Sequence, residues 1–158
     1  MRLHEIMTTD VQTASPNDDA EQAFHKMRVQ RIRHLVVQED RRIVGILSQR
    51  DLGGPKGASQ RRGTTVGEWM SPAAVTASPT TTVRQAANLL RARTIGCLPV
   101  VEGGKLVGIV TLTDLLDLLG RGGEPAARLS GRWKPQHGSK WKPIRRIARP
   151  ERPALFPH

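Results

Sequence analysis

Two short polar motifs carry the residue types that could do chemistry in this sequence. Ser48 and Asp51 stand three positions apart, and Thr111 and Asp114 repeat the same hydroxyl-x-x-carboxylate spacing. Each motif follows a β-branched run at the expected start of a helix, which is typical of a capping box. A helix start also presents free N–H groups and a positive dipole end to an anion. A cap and a ligand-binding site both remain open interpretations.

Residue sets that would indicate catalysis or a metal centre are not found in the sequence. Cys97 is the one cysteine and has no activating base beside it, which favours a buried thiol. The five histidines are scattered, without cysteine or carboxylate neighbours at ligand spacing. We therefore predict that the protein is not an enzyme and holds no metal.

Hydropathy indicates a chain that does not enter a membrane. No apolar run approaches the roughly 18 residues that span a bilayer, and the N-terminus lacks the apolar stretch of a signal peptide. We expect a soluble, cytoplasmic protein without membrane association.

An internal repeat with an offset of 63 residues organises most of the chain. Residues 3–52 align with residues 66–115 without a gap, and about 18 of these 50 positions are identical. The predicted organisation is a first repeat with a loop over residues 1–62, a second repeat over residues 63–120, and a basic tail over residues 121–158.

Each repeat has the periodicity of a small β-α-β-β-α unit. A first strand is expected near residues 11–13 or 75–77, and two later strands come from apolar, β-branched runs. Between them, apolar residues recur at helical spacing. The stripes are Ala20, Ala23, Phe24 and Met27 in one copy, and Val83, Ala86, Ala87 and Leu90 in the other; the strand pairs are 35–37 with 43–47, and 98–101 with 106–110. Because a unit of about 50 residues is marginal alone, the predicted fold is α/β (α+β), with two repeats packed sheet to sheet as one pseudo-two-fold module.

These features together resemble the CBS domains, named for cystathionine β-synthase. The resemblance covers residues 3–120 and rests on the strands 33–37 and 97–101 and on the Gly-Ile-x-[Ser/Thr]-x-x-Asp-Leu closing in both copies, where the second copy has Val for Leu before the hydroxyl. It implies a tandem pair, the Bateman module, which senses adenosine nucleotides and regulates an attached or associated protein. The ligand implied is AMP, ADP or ATP, or else S-adenosylmethionine or a dinucleotide, and no cofactor is required.

The resemblance also assigns roles to the two polar motifs. It implies that the hydroxyl of Ser48 or Thr111 faces the phosphate or ribose of the ligand, and that Asp51 or Asp114 binds the two ribose hydroxyls. A carboxylate suits a cis-diol because it offers two acceptor oxygens and makes charge-assisted hydrogen bonds.

Further ligand contacts follow from the resemblance. Arg33 and His34 stand where the family often places cations that contact phosphate, while Thr13 and Thr76 stand on the strand that lines the adenine pocket. The counterparts of Arg33 and His34 in the second repeat are Gly96 and Cys97, so we expect two unequal sites.

The two repeats close differently. Gly53-Gly54-Pro55 cuts the closing helix of the first repeat short, and residues 57–65 are predicted to be an entrance loop containing Arg61 and Arg62. In the second repeat the helix continues to Gly120.

The leucines of this closing helix, at 115, 116, 118 and 119, cover more of the helix than one core-facing stripe requires. We therefore predict a homodimer, and the family commonly forms disc-like dimers.

The tail carries most of the excess positive charge. Of the formal net charge of +11, residues 121–158 supply 10 Lys and Arg against 2 Asp and Glu. A tail of this composition is typical of a disordered, solubilising segment. The alternative function is a nucleic-acid-associated protein whose CBS body dimerises and whose tail binds RNA or DNA. The candidate contacts are Trp133, Lys134, Trp141, Lys142, Arg145 and Arg146.

Overall fold

The computed structural model of the protein describes residues 1–72 and 75–123. Each amphipathic segment forms one helix: α1 spans Ala20–Gln30 and α4 spans Val83–Arg93. The Asp19 side chain accepts a hydrogen bond from the Gln22 backbone N–H at 2.9 Å and so caps α1. The predicted stripe of α1 is fully buried, and that of α4 packs in the core of the second repeat. Both predicted helices are confirmed.

The β-branched runs form the predicted strands. The strands are β1 Thr13–Ala14, β2 His34–Glu39, β3 Arg42–Ser48, β4 Ser71–Pro72, β5 Cys97–Glu102 and β6 Lys105–Thr111. In the first repeat β1 pairs parallel with β2 and β2 pairs antiparallel with β3, while in the second repeat β5 pairs antiparallel with β6. The first strand of the second repeat is reduced to one parallel bridge between Ala77 and Val100.

Burial on both faces of a strand shows how the sheets are covered. Leu35 and Val37 of β2 belong to the core that packs on α1, and Val36 between them is also completely buried. Because successive side chains of a strand point to opposite faces, the second face of β2 is covered as well. Across this second face, His34 lies against Gly96 of the second repeat. The predicted α+β fold with sheet-to-sheet packing is confirmed.

The opening segments of the two repeats are exchanged between the cores. Leu3 is buried in the core of the second repeat, whereas Val66 is buried in the core of the first. Strand pairing follows the same rule: Thr8 forms a bridge to Ile109, and β4 pairs with β3. Because of this exchange, backbone hydrogen bonds join the opening segment of each repeat to a strand of the other repeat.

The segment after the first repeat differs from the predicted entrance loop. It forms a 3-10 helix over Gly54–Gly57 and a short helix, α2, over Ala58–Arg61. Arg61 is only 1% exposed, and its Nε donates to Oε2 of Glu21 at 2.7 Å. The loop prediction was therefore wrong for Arg61, because backbone carbonyls and the Glu21 carboxylate supply acceptors for a buried guanidinium. Arg62, the next residue, is exposed.

Two further helices belong to the second repeat, one just before β4 and one that closes the repeat. A four-residue helix, α3, spans Val66–Trp69, and the closing helix, α5, spans Leu112–Gly120 as predicted. Within residues 1–72 and 75–123, no helix is both long and apolar enough to cross a membrane. The predictions for the tail from residue 124 onward lie outside the described residues.

Candidate functional site

The two hydroxyl-x-x-carboxylate motifs fold in the same way. The Thr111 backbone N–H donates to Oδ2 of Asp114 at 2.7 Å, and the Asp114 N–H donates to Thr111 Oγ1 at 3.3 Å. In the first repeat, the Ser48 N–H donates to Oδ2 of Asp51 at 3.0 Å, and the Asp51 N–H donates to Ser48 Oγ at 3.0 Å. The capping interpretation is thus confirmed at Thr111, which begins a helix, whereas Ser48 and Asp51 form the same reciprocal hydrogen bonds on a turn that does not continue as a helix. We call these two pairs the Asp51 closure and the Asp114 closure.

Each closure uses one oxygen of its carboxylate. Every hydrogen bond that Asp51 and Asp114 accept from the described residues goes to Oδ2. Oδ1 of each accepts none of these hydrogen bonds, and a carboxylate oxygen of this kind can accept one from a ligand. Capping and ligand binding are therefore compatible in the same residue.

The surroundings of the closures differ. Asp114 is half-buried in the first turn of α5, whereas Asp51 is exposed in a turn that ends at Gly53. In that turn the Leu52 N–H donates to the Ser48 carbonyl at 3.4 Å, and the Gly53 N–H donates to the Arg50 carbonyl at 3.0 Å. The Asp51 closure is held by one turn of chain instead of a helix.

His34 lies beside the Asp51 closure. It is half-buried and pairs with Ser48 in the β2–β3 ladder. A Cβ on Gly96 would lie 2.8 Å from His34 Nε2, so the absence of a side chain at position 96 makes room for the ring. Burial lowers the pKa of His34 below 6.5; the Asp51 charge opposes this and the Arg33 charge adds to it. The ring is therefore mainly neutral at pH 7 without ligand, which weakens the expectation that it acts as a standing cation.

Cys97 of the second repeat lies near the same carboxylate. The thiol is buried, and burial, followed by the Asp51 charge, raises its pKa to about 12. The thiol therefore stays protonated and unreactive at neutral pH, as the buried-thiol interpretation requires. Asp51, His34, Gly96 and Cys97 together form what we call the strand-start junction, where β2 and β5 begin.

The other predicted ligand residues are not all brought to this junction. Arg33 precedes His34 directly and is exposed, whereas Thr76 is exposed in the second repeat. Thr13 pairs with Val36 and lines a separate cleft of about 460 Å³ whose lining includes neither Asp51 nor Asp114.

That cleft contains residues which the sequence analysis did not single out. Arg41 comes from the turn between β2 and β3 and Lys105 is the first residue of β6, and they share the cleft with Asp10 and Gln38. Arg41 has a φ of 64°, a left-handed conformation that favours glycine, and the equivalent position in the second repeat is Gly104. Asp40 likewise stands where the second repeat has Gly103, and these two departures from the repeat pattern could have drawn attention to the turn.

Metal and nucleic-acid sites find no support in the described residues. Over residues 1–72 and 75–123, no group of three or more His, Cys, Asp or Glu could hold a metal ion. The nucleic-acid contacts predicted in the tail lie outside the described residues: Trp133, Lys134, Trp141, Lys142, Arg145 and Arg146.

Comparison with protein families and curated proteins gives consistent matches. A family model described as the CBS domain matches residues 3–52 and 66–121. The CBS domain-containing protein YhcV of Bacillus subtilis (strain 168) is 36% identical over 114 residues, which cover 72% of this chain and 81% of that protein.

Solved structures share the fold. The CBS domain pair of protein MJ0100, crystallised with 5′-methylthioadenosine and S-adenosyl-L-methionine, is 27% identical with a TM-score of 0.70, covering 77% of this chain and 98% of that chain. CBSX2, crystallised with AMP, is 26% identical with a TM-score of 0.66, covering 78% of this chain and 98% of that chain.

Proposed function

Because the chain belongs to the CBS-domain family, we propose that it is a regulatory module that binds an adenosine compound through the Asp51 and Asp114 closures. The observation that carries the proposal is that both closures fold alike and leave Oδ1 of the carboxylate outside the cap. MJ0100 and CBSX2 support the ligand class, since both were crystallised with adenosine compounds.

Ribose is the part of the ligand that the carboxylates recognise. Oδ1 of Asp51 or Asp114 accepts a hydrogen bond from a ribose hydroxyl, and this bond is charge-assisted. The threonine hydroxyl of the second closure donates its proton to Asp114 Oδ2 at 2.9 Å and can therefore only accept from a ligand. The Ser48 hydroxyl accepts from the Asp51 N–H and keeps its own proton for a phosphate oxygen.

Phosphate belongs at the Asp51 closure. Arg33 precedes β2 and His34 begins it, while the second repeat has the uncharged Gly96 and Cys97 at the equivalent positions. A bound phosphate also favours the protonated form of His34, which is mainly neutral without ligand. We therefore assign a phosphate-bearing compound such as AMP, ADP or ATP to the Asp51 closure and an adenosyl compound without phosphate to the Asp114 closure. Thr13 and Thr76 remain candidates for contacts to the base.

The expected affinity is moderate. At roughly 0.3 kcal/mol per heavy atom, a nucleotide of about 23 such atoms gains about 7 kcal/mol, which corresponds to a Kd in the micromolar range. Binding at this strength responds to changes in the concentration of a metabolite.

Regulation follows from a shift between two arrangements of the paired repeats. A ligand that binds one arrangement more tightly shifts the population toward it. The exchanged opening segments, which hydrogen-bond each repeat to the other, would transmit the change. We propose that the module works in the cytoplasm as a homodimer, without catalysis, on an associated protein.

The ligand class can be tested by titrating the purified chain calorimetrically with AMP and with 2′-deoxy-AMP. AMP should bind with micromolar affinity, and 2′-deoxy-AMP should bind roughly tenfold or more weakly, because one hydrogen bond to a charged acceptor is lost. S-adenosylmethionine tests the phosphate-free class, and a native mass spectrum detects a ligand that copurifies. Failure of all three compounds to bind would overturn the proposal.

A further inference from the structure

We propose that Arg61 is a positioning residue for the Asp51 closure. Its buried guanidinium fixes the backbone of the turn that carries Asp51. The inference rests on the proposed function, since it assigns Arg61 a part in ligand binding at that closure. Among the described residues, the guanidinium of Arg61 forms no hydrogen bond with Asp51. It acts through the backbone of Leu52 and Gly54.

The contacts of Arg61 converge on the turn that carries Asp51. Nη1 donates to the carbonyl of Leu52 at 2.6 Å and to the carbonyl of Gly54 at 2.5 Å. Leu52 follows Asp51 directly in the chain. The guanidinium thus ties down the two carbonyls on the C-terminal side of the closure.

The charge of Arg61 is compensated within the same repeat. Nε donates to Glu21 Oε2 at 2.7 Å, and the guanidinium carbon lies 3.8 Å from the centroid of the Phe24 ring. Both partners belong to α1. A buried cation is tolerated when it is paired and its donors are used, and here every nitrogen of the guanidinium has a partner.

The second repeat shows why this contact is needed. There α5 continues from Leu112 to Gly120, so regular helical hydrogen bonds support Asp114. In the first repeat, Gly53 and Gly54 adopt φ values of 72° and 59°, and the helical path ends. Arg61 donates to carbonyls that a continuing helix would have bonded internally.

Gly57 and Thr64 pack around the contact between Arg61 and the Leu52 carbonyl. A Cβ on Gly57 would collide with the Leu52 carbonyl oxygen and lie 2.8 Å from Arg61 Nη1. Glycine is therefore required at position 57 for residues 54–61 to approach the Leu52 carbonyl. The Arg61 carbonyl accepts from Thr64 Oγ1 at 2.6 Å, and Thr64 Oγ1 accepts from Trp69 Nε1 at 2.7 Å. The closure is thereby linked to α3, the opening segment of the second repeat.

Replacement of Arg61 by lysine is the informative variant. Lysine keeps the positive charge but cannot hold Glu21 and two carbonyls in one planar fork. The Asp51 turn should loosen, while the Asp114 closure keeps its own helix. Arg62→Lys is the matched control, because the neighbouring side chain is exposed.

The experiment measures each closure separately by titrating the full chain with AMP in two backgrounds. In Asp114→Ala, where the Asp51 closure remains, Arg61→Lys should weaken AMP binding roughly tenfold or more, because a displaced Asp51 carboxylate would lose its charge-assisted hydrogen bond to the ribose. In Asp51→Ala, the same substitution should change the residual affinity for AMP or S-adenosylmethionine by less than about twofold. An unchanged affinity in the first background, or an equal loss in both, would overturn the inference.

A second measurement needs no ligand and so separates this inference from the proposed function. Hydrogen exchange of the Gly53 and Gly54 amides, which bond to the Arg50 and Gln49 carbonyls, should accelerate in Arg61→Lys more than exchange in α5. Unaltered protection of these amides would contradict the positioning role even if AMP binds nowhere.

If Arg61→Lys does not fold, Glu21→Gln provides the same comparison. This variant removes the ion pair but leaves Arg61 bonded to both carbonyls. It should give a smaller loss of AMP affinity, again confined to the Asp114→Ala background, and a loss in the Asp51→Ala background instead would contradict the inference.

Discussion

The imidazole of His34 lies directly against the backbone of Gly96, so that a Cβ on residue 96 would be 2.8 Å from Nε2 and 3.2 Å from Cε1. The contact joins the first repeat to the second at the strand-start junction. Position 96 corresponds to Arg33 in the repeat alignment. Glycine at this position is therefore what allows the larger side chain of the first repeat to reach the junction.

Gly96→Ala should destabilise the protein by overpacking this contact. Inserting a methyl group into a packed site costs about 1–3 kcal/mol, and urea denaturation would measure the loss in the free energy of unfolding. Gly120→Ala is the matched control, because nothing lies within 4 Å of a Cβ at that position. The double variant His34→Ala/Gly96→Ala should recover part of the loss, and additive effects of the two substitutions would argue against the contact.

Protonation of His34 should lower stability as the pH falls. Its pKa is depressed by burial in the folded protein, so the unfolded chain binds more protons between that pKa and 6.5. Stability therefore rises with pH through this window and is fully present above 6.5. Urea midpoints measured from pH 5 to pH 8 should show this slope, and His34→Gln should flatten it.

The control for the pH experiment is His25→Gln, an exposed position on α1, which should leave the slope of the wild-type chain unchanged.

The affinity for a phosphate-bearing ligand should depend on pH with the opposite sign. AMP affinity should increase from pH 8 to pH 6, because a phosphate stabilises the imidazolium, while adenosine affinity should not. Identical pH profiles for the two compounds would show that His34 does not face the phosphate.

Two leucines of α5 should mediate homodimerisation. Leu116 is 66% exposed and Leu119 is 73% exposed, whereas Leu115 is buried in the core of the second repeat. Leu116→Glu/Leu119→Glu should convert a dimer at tens of micromolar into a monomer in light scattering, because charges would be buried without partners.

Val29→Glu provides the comparison for the leucine variants. Val29 is 63% exposed on α1 and lies in the first repeat, so its replacement should leave the dimer intact. A monomeric wild-type chain would contradict the dimer proposal, and a dimer that survives the α5 substitutions would contradict this surface.

The repeat explains why so much of the fold could be predicted. Two copies in register gave every helix stripe and strand pair twice, and local periodicity determines such elements. The exchange of Leu3 and Val66 between the cores could not be predicted in this way, because both residues show the same apolar pattern whichever core receives them. Sequence similarity between the repeats conceals which copy each segment packs against.

The site was predicted less completely. The closures at Asp51 and Asp114 follow from local spacing, but the role of Arg61 depends on acceptors at Glu21, Leu52 and Gly54, which are spread along the chain. An arginine in a glycine-containing connector has the composition of a loop. Only the three-dimensional path of the chain shows that its donors are all used.

The central claim is that an adenosine compound binds through Asp51 and Asp114, and the double variant Asp51→Ala/Asp114→Ala tests it most directly by calorimetric titration with AMP. Gln85→Ala is the matched control, since the Thr82–Gln85 capping box has the same geometry as the two closures but lies on α4. Our account predicts micromolar binding of AMP to the wild-type chain and to Gln85→Ala, and no detectable binding to the double variant. A double variant that binds AMP with wild-type affinity would contradict it.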